Sequence, residues 1–85
     1  MTFLVETQFT APPTPEILAL IPQEIAHGKM LDVEGVRLHL FVAADQSRAW
    51  QIYRVDSIDD LAAILATFPL HPYLSATITP LAEAL

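Results

Sequence analysis

The alternation of apolar and polar positions at the start of the chain predicts a strand over Thr2–Phe9. Odd-numbered side chains in this range point to one face and even-numbered side chains to the other, and β-branched and aromatic residues dominate. Prolines at positions 12, 13 and 15 end the strand. Thr14 then suits a helix N-cap, with Pro15 in the first helical position, so a helix is expected to follow.

Apolar residues at helical spacing predict this helix over residues 15–33. The stripe consists of Ile17, Leu18, Ile21, Ile25 and Gly28, with Leu31 beside it. Pro22 lies inside the pattern, where its missing N–H and its ring clash with the preceding turn predict a kink or a break. Gly35 is placed to cap the C-terminus of the helix.

Two alternating segments, residues 36–44 and 48–55, predict a pair of strands in the middle of the chain. The turn between them, Asp45-Gln46-Ser47, is short and polar, so the pair is expected to form an antiparallel hairpin. Regular alternation would place Arg37, His39 and Phe41 on one face of the first of these strands.

The last part of the chain predicts a second helix and a fourth strand. Ser57 suits an N-cap, and an apolar stripe follows it as far as Phe68. Prolines at 69 and 72 end the helix. Residues 73–79 are then predicted as a strand and residues 80–85 as a short tail.

The order βαββαβ predicts a single α+β domain over residues 1–85 with a ferredoxin-like fold. Right-handed crossovers place both helices on one face of a four-stranded antiparallel sheet. The other face then has no cover within the chain, although the first three strands carry apolar or aromatic residues on both faces. A second copy packed sheet to sheet would cover it, which predicts a homodimeric α+β barrel with a pocket near the sheet surface.

Composition supports self-association and excludes some partners. The hydrophobic fraction is 53%, high for a small domain of 85 residues that is marginally stable alone. The net charge of -6 argues against nucleic acid and against anionic membrane surfaces. The start of the chain lacks the basic region of a signal peptide, and no apolar run is long enough to span a membrane, so a cytoplasmic protein is expected.

Nothing in the spacing of residues points to a metal or to another cofactor. The chain has no Cys, its three His are far apart in sequence, and its two Gly do not form a phosphate-binding loop. The spacing therefore argues against a metal site and against a phosphate-binding loop.

Residues 68–73, FPLHPY, followed by TPLA at 79–82, resemble the "LPLFPYM...EVTPLA" ending of the muconolactone isomerase family. Three further segments are similar to that family: MTFLV at the start, Glu34-Gly35 before His39-Leu40-Phe41, and Tyr53-Arg54-Val55 before Ser57. Between Gln23 and Leu81 the correspondence needs no gap. Three positions depart from it: Val42 stands where the family has an arginine, His71 where it has an aromatic residue, and Ser75 where it has an acidic one.

The resemblance implies a dimeric barrel, assembled in some cases into a larger ring, and a proton shift without a cofactor. The implied reaction isomerises the double bond of a small unsaturated lactone in the degradation of aromatic compounds. The site in that family lies in a cleft where subunits meet.

Proton abstraction next to a carbonyl needs a base, a route for returning the proton and a group that stabilises the enolate. Glu24, at the edge of the stripe on the first helix, is the predicted base, because burial would raise its pKa. His39 is a second predicted proton carrier, and Tyr73 a donor to the enolate. Glu24 and His39 also match a glutamate and a histidine of the family. Predicted ligand contacts are Arg37, Phe41, Trp50 and His71.

Two other functions remain open at this level. The first is a dimeric barrel that binds a small ligand, or only assembles, without turnover. The second is an oxygenase that needs no cofactor, which would require an apolar pocket around Phe41 and Trp50.

Overall fold

The computed structural model describes residues 1–82 and has the predicted α+β architecture. Its elements are β1 (Thr2–Phe9), α1 (Pro15–Leu18), α2 (Ile21–Val33), β2 (Arg37–Val42), β3 (Arg48–Arg54), α3 (Ile58–Leu65), a 3₁₀ turn (His71–Tyr73) and β4 (Leu74–Leu81). The sheet is antiparallel with strand order β2-β3-β1-β4. The ferredoxin-like prediction is confirmed. None of the helices described is long and apolar enough to cross a membrane.

Pro22 breaks the predicted first helix in two, as expected. α1 ends at Leu18, and α2 begins at Ile21 with the proline in its first turn. A proline is tolerated there because the first N–H groups of a helix have no intrahelical partner. The restart places Glu24 in the first turn of α2, where its backbone N–H donates to the carbonyl of Leu20 at 3.0 Å.

A glycine-based cap turns the chain from α2 into β2. Gly35 has a φ of 75°, and its N–H donates to the carbonyl of Asp32 at 3.1 Å. The N–H of Val36 donates to the carbonyl of Leu31 at 3.0 Å. This double hydrogen bond is the Schellman motif, and it requires the left-handed conformation that glycine adopts without strain.

A β-bulge in β2 changes the predicted facing of the strand. Arg37 pairs with Tyr53, but His39 pairs with Ile52, so the register shifts between Arg37 and His39. The two side chains therefore lie on opposite faces of the sheet, because one extra residue reverses the alternation. The prediction that Arg37 shares a face with His39 and Phe41 is wrong.

The core fills the space between the helices and one face of the sheet. It comprises Phe3, Val5, Leu31, Tyr53, Leu61, Leu65 and Phe68. The predicted cap of the second helix is present, since the Ser57 hydroxyl accepts the N–H of Asp60 at 3.1 Å. On α2, however, Gly28 and Leu31 are buried while Ile25 is 52% exposed. The inward face of α2 is thus rotated from the predicted stripe, because the helix restarts at Ile21 and packs through Gly28.

The last strand is longer than predicted. Residues 80 and 81, assigned to a tail, continue β4 and pair with β1, Pro80 lying opposite Phe3. Proline fits because β4 is an edge strand, where one side of the backbone needs no ladder partner. Residues 83–85 of the predicted tail lie outside the described residues.

The second face of the sheet has no helix over it among residues 1–82, as the topology predicts. Leu4, Trp50 and Ile52 are partly buried there by their neighbours, and Phe41 is 61% exposed. This surface, called the open face below, stays a predicted dimer interface.

Replacing Gly35 by alanine should destabilise the fold without touching the core. Forcing an L side chain into the left-handed region costs about 1–2 kcal/mol, and no other atom lies within 4 Å of the added Cβ. Urea denaturation of Gly35→Ala and Gly35→Asn measures the loss, which should be smaller for asparagine because it tolerates this conformation better. Equal stability of wild type and Gly35→Ala would contradict the capping role.

Candidate active site

A cavity of about 310 Å³ lies between α2 and the helix-covered face of the sheet. Residues from both layers line it, among them Thr7, Glu24, Arg37, Leu40, Gln51 and Leu70. The sequence predicted a pocket near the sheet surface. Within one chain, the cavity lies on the helix-covered face and not on the open face.

Glu24 presents a partly buried carboxylate at the wall of this cavity. Its Oε1 accepts the backbone N–H of Leu70 at 2.9 Å, which connects α2 to the turn that precedes β4. Burial raises the pKa of Glu24, while the Leu70 N–H and the nearby charges of His27, Arg37 and His71 act in the opposite direction. A carboxylate that has lost part of its hydration but remains hydrogen-bonded is a suitable general base.

Arg37 is buried at the same cavity, with an exposed fraction of 7%. Asp32 accepts two hydrogen bonds from its guanidinium, Nε to Oδ1 at 2.7 Å and Nη2 to Oδ2 at 3.0 Å. These bonds raise the pKa of Arg37 and lower the pKa of Asp32. The protein's own carboxylate therefore neutralises the cation that was predicted to bind a ligand.

Gly28 makes room for this guanidinium. A Cβ atom at Gly28 would come within 2.6–2.8 Å of three guanidinium atoms of Arg37. Gly28 lies one helical turn after Glu24, so this close contact between the helix and Arg37 is beside the candidate base. A glycine inside a predicted helix was the signal for this close approach.

Gln51 and Tyr53 complete the polar cluster at the cavity, and neither was predicted as a site residue. Gln51 Oε1 accepts the Tyr53 hydroxyl and, at 3.4 Å, Nη1 of Arg37. Burial raises the pKa of Tyr53 to about 12, so its hydroxyl remains a donor. Because the Gln51 oxygen receives both bonds, its amide NH₂ is the group that can donate to a ligand. The sequence signal for Gln51 was a polar residue at a strand position that faces the helices.

The other predicted site residues are divided between the two sides of the sheet. His39, Phe41 and Trp50 lie on the open face, where the His39 and Phe41 rings stack at 6.1 Å with an angle of 13°. None of the three lines the cavity. Tyr73 is 38% exposed and does not line it either; its carbonyl accepts the N–H of Thr10 at 3.0 Å. The structure thus brings together Glu24 and Arg37, but not His39 and Tyr73 with them.

His71 does not line the cavity, but it lies near enough to Glu24 to act on it electrostatically. Both residues line a small chamber of about 30 Å³. Lys29, which was not a predicted site residue, is an exposed cation at the cavity itself. Within residues 1–82, no group of three or more His, Cys, Asp or Glu side chains is arranged to hold a metal ion.

Comparison with known proteins agrees with this fold. The model of the family described as muconolactone delta-isomerase matches residues 1–84. A muconolactone Delta-isomerase of Cupriavidus pinatubonensis is 29% identical over 86 residues, covering 98% of this chain and 94% of that protein.

Two solved structures extend the comparison. A crystal structure of muconolactone isomerase superposes with a TM-score of 0.86 at 25% identity, covering 99% of this chain and 91% of that one. A 5-chloro-2-hydroxyhydroquinone dehydrochlorinase of Burkholderia phenoliruptrix superposes with a TM-score of 0.70 at 13% identity, covering 99% and 96%. The second match shows a shared fold only.

Gly28→Ala should destabilise the protein although alanine is the better helix former. The added methyl group displaces the guanidinium of Arg37 from Asp32, and the loss of about 1–3 kcal/mol for overpacking exceeds the gain of about 1 kcal/mol in helix propensity. The double variant with Arg37→Met is the control, since the steric conflict is then relieved and Gly28→Ala should become neutral or stabilising. Thermal and urea unfolding of the four proteins measure this. A stabilising effect in the wild-type background would refute the packing role.

Proposed function

The chain belongs to the muconolactone delta-isomerase family, and we propose that it is an isomerase that moves a proton between two carbons of a small unsaturated lactone. The observation that carries the proposal is the Glu24 carboxylate, partly buried at the wall of a cavity of about 310 Å³. A cavity of this size suits a ligand with few heavy atoms.

Glu24 is the base in this proposal. Its carboxylate removes a proton from the γ carbon of the conjugated lactone, so the C–H electron pair enters the conjugated system as a dienolate. The protonated Glu24 then returns a proton to the carbon next to the lactone carbonyl, and the double bond changes position. The hydrogen bond from Leu70 to Oε1 holds the carboxylate in place, which reduces the reorganisation needed for each transfer.

Gln51 and Thr7 are the proposed donors to the enolate oxygen. Both lie at the wall of the cavity, and both are almost fully buried. Donors in a site with little water stabilise a developing oxyanion more strongly than water would, because they are already oriented. This role replaces the one predicted for Tyr73, which does not line the cavity.

Lys29 is the proposed contact for a carboxylate carried by the substrate. The guanidinium of Arg37 is already paired with Asp32, whereas the Lys29 ammonium lies at the exposed part of the cavity. The substrate class is therefore an unsaturated lactone whose acidic side chain extends toward solvent while its ring lies against Leu40, Leu70 and Leu74.

A ligand-binding protein without turnover is the second candidate, and Val42 is the observation that favours it. Val42 lies in the cavity wall, at the position where the family pattern has an arginine. The departure at Ser75 has no such consequence, because this residue pairs with Gln8 and lies on the open face. The oxygenase hypothesis required an apolar pocket around Phe41 and Trp50. Neither residue lines the cavity of the single chain, so the cavity does not support this hypothesis.

Glu24→Gln should abolish most of the activity while leaving the fold intact. The amide oxygen still accepts the Leu70 N–H, but the side chain cannot take up a proton, so kcat should fall by about 10²–10⁴-fold. The measurement is the absorbance change of muconolactone with the purified variant. Because the carboxylate must be ionised to act, the wild-type rate should fall as the pH is lowered through the raised pKa of Glu24.

Two variants control this experiment. Glu34→Gln removes an exposed carboxylate from the end of α2 and should retain full activity. His39→Gln tests the other predicted proton carrier; a loss as large as that of Glu24→Gln would place the chemistry on the open face. Wild type without turnover on muconolactone, but with measurable binding of it, would favour the second candidate.

We also propose that the open face mediates a homodimer. Phe41 is 61% exposed beside Trp50 and His39, and burying this aromatic cluster against a second copy would supply apolar contact area. Phe41→Glu should convert the dimer to a monomer of 9.4 kDa on size-exclusion chromatography with light scattering. Val33→Glu, a change of the same kind at an 89% exposed residue of α2, is the control and should remain dimeric. A monomeric wild type would refute the proposal.

A further inference from the structure

Glu24 lines two neighbouring spaces. One is the cavity of about 310 Å³ and the other is the chamber of about 30 Å³ that His71 also lines. Four residues line both spaces: Thr7, Glu24, Gln51 and Leu74. A ligand in the cavity and a group in the chamber can therefore both contact the same carboxylate.

The chamber has the size and the lining of a site for one water molecule. Its volume of about 30 Å³ exceeds the roughly 10–15 Å³ that one water molecule needs. Thr7, Glu24, Gln51 and His71 supply polar groups, and a buried water needs two to four such partners. Apolar side chains, including Leu65 and Phe68, form the remaining wall.

Leu70 connects the turn that carries His71 to the Glu24 carboxylate. The N–H of His71 donates to the carbonyl of Phe68 at 3.0 Å, and that of Tyr73 to the carbonyl of Leu70 at 2.9 Å. The N–H of Leu70 itself donates to Glu24. His71 is exposed, so one short segment fixes the carboxylate and places an imidazole between it and bulk water.

We propose that His71 is the proton outlet of Glu24, which it serves through one water molecule in the chamber. This inference rests on the proposed isomerase function and adds a route by which the proton on Glu24 exchanges with solvent while the substrate closes the cavity. His71 thus acts on Glu24, not on the substrate, and is a positioning and relay residue.

The steps conserve protons and charge. The carbon–hydrogen bond of the substrate breaks and an oxygen–hydrogen bond forms on Glu24. This proton then passes to the water, the water gives one of its own protons to the unprotonated nitrogen of His71, and the imidazolium releases a proton to solvent. The reverse sequence delivers a solvent proton to Glu24, which then protonates the carbon of the dienolate next to the carbonyl.

Other charged and titratable groups also act on Glu24, so the test must separate His71 from them. His27 is on the same helix, with Nε2 2.6 Å from the Thr67 hydroxyl and its ring against Phe68. Arg37, on the sheet, acts electrostatically on Glu24. Glu24 and Asp32, the latter near the end of α2, both act to raise the pKa of Tyr53. His27 does not line the chamber, which makes it a matched control.

The decisive experiment runs the isomerisation in D₂O and measures deuterium at the newly protonated carbon. Wild type should give product that is mostly deuterated. His71→Gln should give product that mostly keeps the substrate's own proton, because Glu24 then returns it before exchange. His27→Gln, with the same change of charge, should match wild type. Undiminished deuterium in the His71→Gln product would overturn the proposal, as would an equal loss in both variants.

A second readout does not depend on turnover. With carboxyl-labelled glutamate, the ¹³C resonance of Glu24 should move a second time as the His71 ring signal titrates, and this second movement should be absent in His71→Gln. If the second movement is seen but muconolactone is not turned over, the proposed isomerase function is refuted and the link between Glu24 and His71 is retained. If muconolactone is turned over but the second movement is absent, the isomerase function is retained and the role of His71 as proton outlet is refuted.

Discussion

The burial of the Arg37 guanidinium between α2 and the sheet is the interaction on which the arrangement of this protein depends. Three features that are unfavourable when taken alone make it possible. A glycine in the middle of α2 costs about 1 kcal/mol relative to alanine, but only glycine leaves space for the guanidinium. A bulge interrupts the β2–β3 ladder, but it turns Arg37 toward the helices. Asp32 gives up part of its hydration, but it neutralises the buried charge.

These features explain why a cavity persists in so small a domain. A layer of apolar side chains would let α2 settle onto the sheet, as it does at Leu31, and close the space. The ion pair, Gln51 and the Tyr53 hydroxyl instead form a hydrogen-bonded wall that cannot collapse without leaving buried polar groups unpaired. The same wall provides the polar surroundings in which the neighbouring Glu24 can be ionised at the cost of only part of its hydration.

Much of the fold can be predicted from short-range sequence features. The break at Pro22, the cap at Ser57, the polar turn of the hairpin and the order of elements could all be predicted, because each depends on residues close together in the chain. The bulge could not, since Val36 to Val42 alternate without interruption and the extra residue appears only when β2 meets β3. The error about the face on which Arg37 lies follows from it. Glu24 was predicted from its residue type and its helix, whereas Gln51 needed the three-dimensional packing to be noticed.

The bulge also separates two surfaces that a regular strand would have combined. With uninterrupted alternation, Arg37 would stand beside His39 and Phe41, and one face would have to serve both the ligand and a second subunit. The register shift sends Arg37 to the cavity and leaves His39 and Phe41 on the open face. A change in the cavity wall, for example at Val42, can then reach the candidate site without altering the open face. A change on the open face, for example at Ser75, can reach the predicted dimer interface without reaching Glu24.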